Sequence, residues 1–165
     1  MENPYQSPAL EATNTAPPQS DGSLLRSFAA VMVGGTVVDY IGTQVTFAII
    51  TGYLRLQFQG NLGDVFVAYQ SAPVQAMAMT GGVFCSFFGG LAAAWIARQR
   101  PILHALLSVT VAHVMLLPHL FTTQYLASPL RILIMALCFL AAAFAGKMMV
   151  RGQQESNDEQ AEGAF

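Results

Sequence analysis

Four long apolar segments dominate this sequence and leave few folds open to the chain. They cover about Leu24–Ile50, Pro73–Ala97, Pro101–Phe121 and Pro129–Val150. A helix that crosses a lipid bilayer needs roughly 20 mainly apolar residues, and each segment reaches that length. In hydrocarbon a helix also pairs its own backbone N–H and C=O groups. We therefore predict an all-α integral membrane protein, in which residues 24–150 form a bundle of four transmembrane helices.

Charged residues are scarce, and they are distributed unevenly. They make up 10% of the 165 residues, whereas soluble domains average about 25%. The formal net charge is -2, and no run of basic residues indicates nucleic-acid binding. With the N-terminus inside, the inner side holds five basic residues and the outer side holds two: Arg26, Arg98, Arg100, Lys147 and Arg151 against Arg55 and Arg131. We therefore predict that both termini are cytoplasmic.

The segments outside the four spans are polar. Residues 1–23 are rich in Pro, Asn, Gln, Ser and Thr, and residues 151–165 carry four acidic side chains. Neither has enough apolar surface to offset the entropy lost on ordering, so we expect two disordered cytoplasmic tails. The first outer loop, residues 51–72, allows two structures. Residues 54–59 alternate between apolar and polar side chains and precede a Gly-rich turn, which favours a short hairpin. Leu54, Phe58 and Leu62 share one helical face, which favours an interfacial helix instead.

Small residues recur at every fourth position of the second span. They are Ala78, Gly82, Ser86, Gly90 and Ala94. Since lipid supplies no hydrophobic drive between helices, close backbone approach through small side chains is a main source of helix association. This helix-packing face fits contact within the bundle, and it also fits docking of another membrane protein or of a second copy of the chain.

Asp39 is the charged residue most deeply placed in a predicted span. It follows Arg26 by 13 residues, or roughly 20 Å of helix, which puts it near the bilayer midplane. An aspartate there costs on the order of 3 kcal/mol to insert, so it should face the bundle and have a partner. His113 lies equally far from Arg100, and Thr43 follows Asp39 by one turn. We expect an intramembrane polar site of Asp39, Thr43 and His113, either a pair that fixes helix register or a proton- or ion-coupling site.

Other chemistry finds little support in the residue pattern. His104 and His119 do not share a helical face with His113, and no histidine lies on another span, so we predict no metal and no cofactor. Cys85 and Cys138 form no C-x-x-C pair, and we interpret them as packing residues. No motif for nucleophilic or metal-assisted catalysis occurs, so we predict that the protein is not an enzyme.

Two short stretches, Val38–Thr43 and Gly89–Arg98, resemble a group of small four-helix bacterial inner-membrane proteins of uncharacterised function. The resemblance implies a bacterial cytoplasmic membrane and implies no activity. Together with the packing face, it favours an accessory, assembly or structural membrane protein that acts through helix packing. The alternative is a small oligomeric transporter, coupled to protons or ions through Asp39.

Overall fold

The computed structural model describes the backbone of residues 21–121 and 129–162, and the side chains of residues 23–116 and 132–155. Residues 1–20 of the predicted N-terminal tail lie outside these ranges. Within the described ranges the chain is helical and has no strand, which confirms the prediction of an all-α protein. In chain order the elements are α1 (Asp21–Met32), a π-helical segment (Val33–Ile41), α2 (Gly42–Gln57), α3 (Leu62–Tyr69), α4 (Ala72–Ala97), α5 (Pro101–Phe121) and α6 (Pro129–Glu162).

The first three elements form one unbroken helix, here called the N-terminal helix, from Asp21 to Gln57. It extends beyond the predicted span at both ends. In its π-helical segment the backbone hydrogen bonds run from residue i to residue i+5, a pattern that is rare and frequent at functional sites. The segment holds nine residues, and its buried residues are Gly34, Gly35 and Asp39.

Two glycines of the π-helical segment allow close contact with α4 and α5. A Cβ atom on Gly34 would collide with the carbonyl oxygen of Gly89 on α4. A Cβ atom on Gly35 would collide with the carbonyl oxygen of Ser108 on α5. At these two positions the N-terminal helix therefore contacts its neighbours through backbone.

The segment between the N-terminal helix and α4 contains the short helix α3, so the hairpin alternative is wrong. Gln59 and Gly60 have positive φ angles of 53° and 80°, which end the N-terminal helix. Asn61 then caps α3, because its side-chain oxygen accepts a hydrogen bond from the Gly63 N–H at 3.0 Å. Its amide also donates to Asp64 at 2.7 Å. These local hydrogen bonds favour a helix start where the sequence pattern alone favoured no single structure.

Helix α3 packs back onto the end of the N-terminal helix. Val65 forms a buried apolar cluster with Ile50 and Leu54. The ring of Tyr69 stacks on Phe47, with 6.4 Å between ring centroids. Burial raises the pKa of Tyr69, and a hydrogen bond with a threonine side chain opposes that shift. The loop between the first two long helices is therefore ordered by its own small core.

The interior is built from small residues, and the large apolar side chains lie outside. One core cluster consists of Ala105, Val109, Cys138 and Ala142. By contrast, many of the large apolar side chains are half exposed or more, among them Leu24, Phe28, Ile49, Phe84, Phe88, Trp95, Leu140 and Phe144. A soluble monomer rarely exposes so much contiguous apolar surface, whereas a membrane protein presents it to lipid.

Three described helices are long and apolar enough to cross a membrane: Ser23–Gln57, Ala72–Ala97 and Ile132–Glu155. Helix α5 is also apolar, and 16 of its residues, Pro101–Leu116, have described side chains. Helix α6 continues to Glu162, whereas we expected disorder from residue 151. Good helix formers such as Gln153 and Glu155 extend the preceding apolar helix at little cost. Gln153 also donates to the Arg98 carbonyl at 3.4 Å.

Several basic residues gather at one end of the molecule. Arg26 donates to the carbonyl of Ile96 at 2.6 Å, which joins the start of the N-terminal helix to the end of α4. The Gln153–Arg98 hydrogen bond brings the C-terminal part of α6 to the same end of the molecule. Arg98 itself ends α4 in the left-handed conformation, with φ of 58°. Arg55 lies in the last turn of α2, at the other end of the N-terminal helix.

Candidate functional site

Asp39 lies inside the protein, where the π-helical segment contacts α4. It is 3% exposed. Its Oδ1 atom accepts a hydrogen bond from the hydroxyl of Ser86 at 3.1 Å. Its Oδ2 atom is buried and has no hydrogen-bond partner among the described residues. Since buried polar groups are nearly always paired, a carboxylate oxygen without a partner makes this position unusual.

The observed partner of Asp39 differs from the predicted one. We expected His113, because the two residues have the same calculated depth. The Nδ1 atom of His113 instead lies 2.8 Å from the carbonyl of Val109 in its own helix, and its ring packs against Phe139 of α6. His113 therefore interacts with α5 and α6, and Ser86 of α4 supplies the hydrogen bond.

Ser86 was assigned to the helix-packing face, and its role as the partner of Asp39 was missed. The sequence did hold a signal for it, because Ser86 is the one hydroxyl residue among the small residues of that face. It is 1% exposed, and it lies one residue after Cys85. A serine hydroxyl can donate one hydrogen bond and accept others, so Ser86 can serve two neighbours at once.

Both cysteines lie near this pair and extend it into a polar cluster, which we define as Asp39, Thr46, Cys85, Ser86 and Cys138. The Cys138 thiol on α6 interacts with the Ser86 side chain, and its electrostatic surroundings include Asp39 and Cys85. The sulfur of Cys85 lies 3.9 Å from the Thr46 hydroxyl on α2. Both cysteines are free thiols. The polar cluster therefore joins the N-terminal helix to α4 and α6.

Backbone packing encloses the centre of the polar cluster at Asp39. A Cβ atom on Gly89 would lie 2.7 Å from the carbonyl oxygen of Gly34 and 2.9 Å from the Cβ of Asp39. Real Cβ atoms essentially never approach so closely, so no side chain larger than glycine fits at position 89 without a shift. Asp39 is therefore held against the backbone of α4, away from the exposed surface.

The other polar side chains differ from Asp39 in their environments. Thr43 is buried, at 7% exposure, one turn after Asp39. Thr36, one turn before Asp39, has a buried hydroxyl without a hydrogen-bond partner among the described residues. His104 bonds to its own helix, with Nδ1 3.1 Å from the Arg100 carbonyl. The side chain of His119 lies outside the described residues. Within the described side chains, no group of three or more His, Cys, Asp or Glu residues could hold a metal ion.

The predicted helix-packing face divides between two environments. Ser86, Gly90 and Ala94 are buried. A Cβ atom on Gly90 would lie 2.9 Å from the Cα of Ala142, so this part of the face packs on α6. Gly82 differs, because a Cβ atom there would have nothing within 4 Å. Ala78 packs against the cluster that holds α3.

No protein family, curated protein or solved structure matches this chain. The resemblance to small bacterial four-helix proteins stays an expectation based on two short motifs. Those motifs meet in the structure, since Asp39 belongs to the first and Gly89 to the second. In the described part of the chain, the fold and the site define an all-helical protein with a buried Asp39–Ser86 pair and three helices suited to crossing a membrane.

Proposed function

We propose that this chain is an integral membrane protein with four membrane-crossing helices, and that it acts without catalysis as an accessory or assembly partner through helix packing. The observation that carries the proposal is the enclosed polar cluster in a small-residue interior, surrounded by large outward apolar side chains. Asp39 is 3% exposed and Ser86 is 1% exposed. An enclosed polar group of this kind is suited to fixing how helices fit together, as buried polar residues do in some coiled coils.

The four-span arrangement is supported by the length of α5. Its 21 residues correspond to about 31 Å at 1.5 Å per residue, close to the thickness of a bilayer core. The gathering of Arg26 and Arg98 at one end supports an orientation with that end in the cytoplasm. A bacterial inner membrane is part of this proposal, and it rests on the resemblance described above.

The partner in this proposal is another membrane protein or a second copy of the chain. Within the helix-packing face, Gly82 is open to a second molecule, because a Cβ atom there would have no atom of the described chain within 4 Å. Small residues on an outward helix surface let a second helix approach closely in lipid. A substitution at Gly82 therefore distinguishes docking of an external partner from packing within the chain.

The test compares Gly82→Leu with the matched control Gly52→Leu, because a Cβ atom at either glycine would meet nothing within 4 Å. We expect both variants to melt as wild type does in mild detergent. We expect Gly82→Leu alone to lose the protein, or second copy, that co-purifies from native membranes. Retention of that partner by Gly82→Leu would contradict docking at this face.

A second candidate function is proton- or ion-coupled transport, and one observation favours it. The Oδ2 atom of Asp39 is buried without a hydrogen-bond partner, in a π-helical segment. Ionisable residues inside membranes commonly belong to proton or ion pathways, and π-helical turns frequently occur at functional sites. A flux assay in vesicles that contain the purified chain separates this candidate from the accessory role.

A further inference from the structure

An open apolar groove runs along the start of α5, beside α6. It has a volume of about 500 Å³ and is lined by Arg100, Pro101, Ile102, Leu103, Leu106 and Val150. That volume falls within the range of roughly 300–1,000 Å³ that is usual for ligand pockets. The two helices meet next to the groove, because a Cβ atom on Gly146 would lie 2.7 Å from the Cα of Ile102.

Arg100 lines one end of this groove, and the groove surface itself is almost entirely apolar, so the positive charge lies at the rim. Its side chain is exposed and has no ion pair or side-chain hydrogen bond among the described residues. On α6, Lys147 and Arg151 lie three residues before and one residue after Val150, which lines the groove. Both are exposed and likewise lack such partners within the described part of the chain. The groove thus combines an apolar wall with one cation at its rim, Arg100, and two further cations flank Val150 in the sequence of α6.

The position of the groove matches the boundary between hydrocarbon and water. Arg100 precedes the first residue of α5, and the apolar part of α6 gives way to Arg151 and polar residues next to Val150. The apolar residues Ile102, Leu103 and Leu106 extend from Arg100 toward the middle of α5. At such a boundary, basic pockets between transmembrane helices bind anionic lipid headgroups.

We propose that this groove binds an anionic phospholipid, with its phosphate at Arg100 and an acyl chain along Ile102, Leu103 and Leu106. The inference rests on the proposed membrane insertion of the chain. The charge complementarity favours this occupant, since a guanidinium group pairs well with a phosphate oxygen. A free phosphate would make no contact with the apolar wall, and an uncharged lipid would leave Arg100 without an anion.

The test measures lipid retained by the full-length chain purified from micelles with equal phosphatidylglycerol and phosphatidylcholine, by native mass spectrometry. We expect wild type to retain phosphatidylglycerol in preference. Arg100→Gln should weaken that retention about fivefold, the factor equivalent to about 1 kcal/mol for one basic side chain at an anionic membrane surface. Leu103→Gln should weaken it as well, because the acyl chain loses an apolar contact while the charge stays.

Arg55→Gln is the matched control, because Arg55 is an exposed arginine at the other end of the N-terminal helix. We expect it to retain phosphatidylglycerol as wild type does. Equal losses in Arg55→Gln and Arg100→Gln would overturn the site in favour of a general charge effect. A lipid-free dimer with Leu103 at its interface would also overturn it. If alkaline carbonate releases the chain from vesicles, the chain is not inserted in the membrane, and both the proposed insertion and the lipid site are wrong. If the chain stays inserted but shows no lipid preference, only the lipid site is wrong.

Discussion

A single carboxylate inside an apolar bundle has a large effect on which helix arrangements are stable. Asp39 receives one hydrogen bond, from Ser86, and its second oxygen has no partner within the described residues. Any rotation of the N-terminal helix that breaks this bond leaves both groups buried and unpaired. Leaving a buried polar group unsatisfied costs about 1–3 kcal/mol. The Asp39–Ser86 pair therefore favours one rotation of the helix over the others.

Substitution of Asp39 separates the accessory role from transport. Asp39→Asn keeps the shape and an oxygen that accepts from Ser86, whereas Asp39→Leu removes the acceptor and leaves the Ser86 hydroxyl unpaired. For the accessory role we expect Asn to keep the fold and the cellular role, and Leu to lower stability by about 1–3 kcal/mol. The measurements are a melting curve in detergent and a complementation or flux assay for each variant.

Two outcomes of that comparison are decisive. An Asn variant that behaves as wild type in every assay would exclude a transport mechanism that requires the carboxylate to titrate. A well-folded Asn variant without activity would contradict the accessory role. Thr110→Val is a suitable control, because Thr110 is exposed and its hydroxyl bonds only to the Leu106 carbonyl of its own helix.

At the residue scale, the sequence predicted that Asp39 is buried and did not predict its partner. The cost of a carboxylate in lipid led us to expect that Asp39 faces the bundle, and it is 3% exposed. The choice of His113 as partner rested on equal distances from Arg26 and Arg100 along two helices, which give depth and not direction. In addition, the π-helical segment changes the rotation per residue between Val33 and Ile41, and nothing in the local sequence pattern predicted it. Burial was therefore predictable, whereas the side chain that Asp39 meets was not.

Helix α4 contacts two neighbours through small residues. Gly81 and Gly89 approach the N-terminal helix, because Cβ atoms there would meet Thr46 and Gly34. Gly90 approaches α6 at Ala142. These close approaches let α4 hold the N-terminal helix and α6 together.

Gly89→Ala tests this close packing directly. The added methyl group would overlap the Gly34 carbonyl and the Asp39 side chain, so the helices must separate. We expect a loss of about 1–3 kcal/mol, as for other overpacked interiors. Gly82→Ala is the matched control in the same helix, and it should be neutral or slightly stabilising because alanine is the better helix former. Unfolding in detergent measures both, and equal effects at the two positions would refute the packing role of Gly89.

At the element scale, helix starts were predicted more accurately than helix ends. Pro101 and Pro129 open their helices as expected, since the missing N–H costs nothing in the first turn. Ser71 is the N-cap residue of α4, although its hydroxyl donates to the Ala68 carbonyl and makes no cap hydrogen bond. The ends of the N-terminal helix and of α6 ran beyond the predicted limits. Polar residues with good helix propensity extend an existing helix. A prediction based on apolar periodicity therefore places the helix end too early.

The whole molecule combines a small-residue interior with an apolar exterior and basic residues at one end. This distribution was predictable, because it follows from the length of the apolar segments and the positions of the arginines. The enclosed polar cluster was not, because it depends on which faces of the N-terminal helix, α4 and α6 meet. Its members lie up to 99 residues apart in the chain, from Asp39 to Cys138.

Reporter fusions test the proposed topology of the whole chain. A fusion after Gly60 follows one crossing helix, and a fusion after Val150 follows four. We expect a periplasmic signal from the first and a cytoplasmic signal from the second, because the end with Arg26 and Arg98 should stay inside. A fusion after Arg98 is the control, and it should agree with Val150. Signals from the same side after Gly60 and Val150 would show that α5 or another helix does not cross.

The Asp39–Ser86 hydrogen bond has a consequence for how the protein is made. The two residues are separated by 47 positions, so the ribosome completes the N-terminal helix well before it synthesises the serine. During that interval the carboxylate has no native donor, and release of the helix alone into lipid is unfavourable. For the proposed membrane-inserted chain, biogenesis is therefore favoured when the insertion machinery holds the first helix until α4 emerges, and the two helices enter the bilayer as a pair.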